Sequence, residues 1–94
     1  MLSLQLPQLI ALHKQAPSFI SDYEAKQRLV TVQAHMFDTT NCSVERDILA
    51  SWVHNNNEWL KSNQEKYFTC KRILNVTIEQ LEEIHKLHES ITNE

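Results

Sequence analysis

His85 and His88 stand three residues apart, a spacing that on a helix brings two imidazoles to one face, within reach of one metal ion. Cys70, Cys42, His13 and His54 are the remaining side chains that could complete a zinc site. Zinc signatures owe their force to two paired knuckles, whereas these further ligands are single residues scattered along the chain. The competing reading sets both terminal histidines at the edge of a helix interface, ring inward and nitrogen wet. Cys42 or Cys70 beside a histidine would make a nucleophile only if its thiol were acidified, and nothing near either in sequence does that, so burial as small apolar groups is expected. No carboxylate pair stands out: Glu82 and Glu83 fit a solvated face. These residues predict no enzyme, no bound metal and no cofactor.

Three partial resemblances carry further chemistry. The order His13, Cys42, His85, His88 resembles the helical zinc-binding domains attached to bacterial chemoreceptors, which bind through three histidines and one cysteine. That resemblance implies a helical fold with metal at these four positions. Where that family carries Cys-x-x-Gly-x-Trp, this chain has Asp47-Ile48-Leu49-Ala50-Ser51-Trp52, and its terminal histidines are three apart instead of four. Ala34-His35 is similar to the phosphoacceptor region of histidine phosphotransfer bundles, which place Lys and Gly three and four residues on. Asp38 and Thr39 stand there, and a carboxylate repels a phosphorylated imidazole. Arg28 and His35 lie at the outer limit of the Arg-x4–6-His spacing of small helical ribonucleases, which implies RNA cleavage by that pair. Leu29 replaces the polar residue usual after that arginine, and the alternative is a surface pair.

Whatever chemistry is present must be positioned by one small domain. The 94 residues suffice for a single core, and 41% apolar with 22% charged residues is ordinary globular usage. Glycine is absent, which removes phosphate-cradling loops and the tight turns that a many-stranded sheet protein needs. A net charge of −3 with Lys71-Arg72 as the one adjacent basic pair argues against nucleic acid. No apolar run reaches the roughly 20 residues of a membrane span, and no charge precedes Lys14 as a secretory leader would require. Two cysteines make no disulfide framework, and Asn41-Cys42-Ser43 and Asn75-Val76-Thr77 as glycosylation acceptors need a secretory route, so reduced thiols in the cytoplasm are expected.

The periodicity predicts an all-α fold, a small bundle of four to five helices spanning 1–94, the alternative being α+β with short strands at 29–37 and 67–76. Pro7 opens a first helix that ends near Ala16, before Pro17. Ser21 and Glu24 form a capping box for a second, running to about Thr39, although Val30, Val32, Ala34 and Met36 also alternate as in a strand. Ser43 and Glu45 start a third, which Asn55, Asn56 and Asn57 interrupt. Ser62 and Glu65 open a fourth. Thr77 and Gln80 form the clearest box, with Val76 and Leu81 as its hydrophobic staple, and Ile78, Leu81, Ile84, His85, His88 and Ile91 then share one face. Trp52 and Trp59 fall seven apart, on one side of an unbroken helix. Trp is enriched at interface hot spots, so Trp52, Trp59 and Leu60 are the candidate partner contacts. The competing reading buries both indoles in the monomer. The function expected is a non-catalytic interaction module, an adaptor, inhibitor or regulator, that self-associates or docks on a protein partner through helix faces.

Overall fold

A computed structural model describes residues 5–92, and of Ile91 and Thr92 only the backbone, so the expected place of Ile91 on the apolar face lies outside the described side chains. Every element in it is a helix: α1 (Leu6–Thr39), α2 (Ser43–Ile73) and α3 (Ile78–Thr92). The all-α class is as expected. The count of four to five helices is not, and the strands at 29–37 and 67–76 are absent, because two long helices absorb the intervening boundaries.

Pro17 lies inside α1 instead of ending the helix before it. It is exposed, so the backbone bond it cannot make falls on the water side, while its neighbour Ala16 is fully buried. Ser21 and Glu24, expected to cap a new helix, ride mid-helix. Likewise Ser62 and Glu65 lie inside α2. The alternating Val30 and Val32 do not make a strand, because Tyr23, Val30, Gln33 and Phe37 turn one side of α1 toward α2, and that packing outweighs a propensity difference of under about 1 kcal/mol per residue.

α2 begins after Cys42 with Glu45 in its first turn and Lys71 and Arg72 in its last, matching the dipole at both ends. The three asparagines do not break it. Asn56 donates from Nδ2 to Oε1 of buried Gln33 at 2.9 Å, which places a polar clasp between α1 and α2. α3 starts as expected: Thr77 N–H donates to Gln80 Oε1 (2.8 Å) and Gln80 N–H to Thr77 Oγ1 (3.1 Å).

The partners along α1 count backwards through the chain. Phe37 O accepts from Arg46, Gln33 from Asn56, Tyr23 Oη donates to Leu60 O, and His13 Nε2–H donates to Val76 O at 2.7 Å. α1 and α2 therefore form an antiparallel hairpin, and α3 continues α2's course beside the start of α1, whose backbone it approaches while keeping clear of α2's. The molecule measures 69 × 18 × 15 Å, longer than the about 51 Å of a 34-residue helix. It is a rod.

Its apolar core sits toward one end. Ala16, Cys70, Ile73 and Leu81 form a buried cluster, with Leu6, Leu9, Leu12, Phe19, Ile20 and Val76 packed around it. Next along the rod come the aromatic rings. Tyr23 stacks on Tyr67 (centroids 4.1 Å apart, planes at 17°), and Trp59 tilts against Phe19 (6.2 Å) and Tyr23 (5.9 Å). Toward the bend at 40–42, the buried side chains are Leu49 and the polar Gln33. No described helix is long and apolar enough to cross a membrane.

Candidate functional site

The residues that could do chemistry are dispersed over the rod. Cys42 is exposed at the bend and Cys70 is buried against Ala16, both as free thiols. His13 is occupied by the Val76 carbonyl. His85 Nε2 donates to Glu89 Oε1, one turn on, at 3.0 Å. The 31 residues of α2, about 46 Å of helix, separate Cys42 from the α3 histidines. The His13, Cys42, His85, His88 set is thus not assembled at one point, and among the described residues no group of three or more His, Cys, Asp or Glu side chains gathers to hold a metal. Arg28 and His35 are both exposed on continuous α1, seven residues and about 10 Å of rise apart. His54 lines an open groove with Asp38, between Ala34 and Phe37 of α1 and Ala50, Val53 and Asn57 of α2.

The three partner-contact candidates part company. Trp59 is half-buried in the aromatic layer, with Lys26 Nζ 5.2 Å above its ring, and Asn63 donates to its carbonyl. Leu60 is half-buried and accepts the Tyr23 hydroxyl at 3.2 Å. Both hold α1 against α2. Trp52 stays on the surface, 51% exposed.

Around Trp52 the surface is unusual. From 29 to 37 on α1 and from 48 to 57 on α2 the sequence contains no Asp, Glu, Lys or Arg, and the Gln33–Asn56 bond sets these two windows side by side. This belt of the hairpin therefore has no Asp, Glu, Lys or Arg of its own, although much of it faces water; Asp38 and Arg46 reach it beside Phe37, in the groove with His54, and not at the hollow that Trp52 lines. Leu29 and Met36 are Gln33's helical neighbours at i−4 and i+3, and Val32 adjoins them. Ile48 lies one turn before Trp52. Gln33, Trp52, Asn55 and Asn56 line one shallow hollow, so the two stripes flank it on the same side of the rod. Leu29, Val32, Met36, Ile48 and Trp52 are all exposed, from 44% to 55%. Of these, sequence reasoning singled out Trp52 alone. The signal that finds the rest is the pair of uncharged windows, since an ordinary surface helix carries charge on its solvent side.

Comparison with known protein families, with curated proteins and with solved structures finds no match to this chain.

Proposed function

We propose that this protein is a non-catalytic interaction module, an adaptor, inhibitor or regulator, which works by docking the uncharged side of its helical hairpin on protein. The observation that carries the reading is the belt itself. Interface cores are depleted of charge and enriched in Trp and Met, and here Trp52 and Met36 sit exposed among aliphatic side chains with no charged residue between. Large exposed apolar patches on soluble chains mark sites that something covers. The reading sets the molecule in the cytoplasm, on two free thiols held at opposite ends of α2, where they cannot bridge.

The test is retention of host proteins on the immobilised full chain, compared with a Trp52→Glu variant whose helix content by circular dichroism equals the parent's. Proteins held by the parent and lost from the variant support the reading, as does self-association that the substitution removes. Identical behaviour of the two chains in both assays overturns it.

A further inference from the structure

We propose that what covers the uncharged belt is a second copy of this chain, laid antiparallel across Leu29, Val32 and Met36 of α1 and Ile48 and Trp52 of α2, so that two hairpins close into a four-helix bundle over that length. This rests on the interaction reading above and names its partner.

Area supplies the first argument. A compact monomer of 11.1 kDa exposes about 5,700 Å². This chain exposes 7144 Å², about 1,500 Å² more, an excess that belongs to the whole rod and to which the five exposed apolar side chains of the belt contribute. Obligate homodimers bury roughly 1,000 to 2,500 Å² from each subunit, and the excess falls inside that range.

Charge supplies the second. A two-fold interface sets a patch against itself, so any net charge on the patch meets its own sign. The stripe of Leu29, Val32, Met36, Ile48 and Trp52, with the hollow between, carries none. A face evolved for a partner of opposite charge would show the complementary sign, and this one shows neither. Beyond the belt's two ends stand charges of opposite sign, Glu45 in the first turn of α2 toward the bend and Lys26 of α1 at the other end, over Trp59. An antiparallel copy brings Glu45 of one chain toward Lys26 of its partner. A parallel copy sets like charges together.

Shape supplies the third. Each helix offers a short stripe, at i, i+3 and i+7 on α1 and at i and i+4 on α2, and antiparallel helices meshing such stripes make the shallow crossing of four-helix bundles. Trp52 falls near the middle of its window, close to where the two-fold axis passes.

Light scattering and sedimentation of the full chain over a concentration series should give twice the 11.1 kDa chain mass, falling to one chain on dilution. Ile48→Glu with Trp52→Glu should give one chain at every concentration, and Ser62→Glu, an exposed position on α2 outside both windows, should leave the dimer intact. Should the doubly charged variant unfold, two readouts on folded chains decide. The melting temperature of the parent should rise with its concentration. In a Trp59→Phe chain, whose emission comes from Trp52, acrylamide quenching should drop as concentration rises. A monomeric parent with concentration-independent melting overturns the proposal, and so does a dimer in which Trp52 is as quenchable as in the monomer. In the first case the interaction reading survives if Trp52→Glu still releases a host protein, which separates failure of this proposal from failure of that reading.

Discussion

Cys42 and Cys70 are the same chemical group in two different surroundings. Cys42 is exposed at the bend, while Cys70 has no accessible surface and packs on Ala16 and Ile73. Burial pushes the Cys70 thiol above its ordinary value of 9.0, against a smaller opposite pull from Lys66. Alkylation of the native chain at neutral pH is therefore expected to consume one thiol at once and the second only when denaturant is added, and peptide mapping should find the early label on Cys42. Equal rates at the two positions would contradict the packing of α1 on α2. Tyr67 is raised too, above 10.0, chiefly because its hydroxyl donates to the Glu24 carboxylate at 2.7 Å and must give up that bond to ionise. The folded chain holds both protons longer than the unfolded chain does, so their contribution is intact below pH 9.0 and is lost as pH climbs through each folded value. Melting temperature should decline from about pH 9 upward by this linkage. In Glu24→Gln the tyrosinate absorbance of Tyr67 should appear at lower pH than in the parent. An unmoved tyrosine titration would show that Glu24 does not hold the phenol.

At the scale of helices, the sequence was legible where a local motif closes on itself and misleading where tertiary contact decides. Thr77 and Gln80 satisfy each other's backbone donors within one turn, so their reading needs no partner helix. Ser21 with Glu24, and Ser62 with Glu65, have the same spacing, yet the chain before each stays helical and offers no free donors to cap. Pro17 misled in the same direction: an exposed proline costs α1 one bond and steric strain, and burial of Ala16, Phe19, Ile20 and Tyr23 on the neighbouring turns offsets it. The asparagines misled because a polar run reads as a loop until a partner is known. Asn56 has one in Gln33, and a paired polar layer of this kind sets the register of facing helices. Asn56→Leu alone should cost about 1 to 3 kcal/mol, since it takes from the buried Gln33 amide the donor that its oxygen accepts from. Gln33→Leu with Asn56→Leu should recover most of that loss or exceed the parent. The check is a double-mutant cycle by urea unfolding, and additive losses from the two single changes would show that the clasp is not formed.

The whole molecule is expected to be graded in stability from one end to the other, because its fully buried apolar side chains lie mostly toward one end. The end near the α2–α3 connection holds Ala16, Cys70, Ile73 and Leu81, and the adjoining layer holds the stacked Tyr23 and Tyr67. The bend half has Leu49 and Gln33 inside while Leu29, Val32, Met36, Ile48 and Trp52 point to water. A fully buried aliphatic or aromatic side chain contributes about 1.5 to 3 kcal/mol, and more such side chains hold the aromatic half than the belt, where Val30, Phe37 and Val53 are only half-buried. The rod's spread makes this local: its radius of gyration is 19.5 Å, against about 12 Å for a compact chain of this length, so the two halves share few neighbours that would make them unfold together. Opening should therefore begin at the bend and travel toward the rings. Native-state hydrogen exchange on the dilute chain, or on the Ile48→Glu, Trp52→Glu variant, should release the amides of 30–37 and 49–57 well before those of 19–26 and 63–72. Raising the concentration of the parent should slow the first group and leave the second nearly unchanged, because covering the belt adds apolar burial at the bend half and not at the other. Exchange at a single rate along both helices would mean that the hairpin opens as one unit, and the uncharged belt would then need no cover to stay folded.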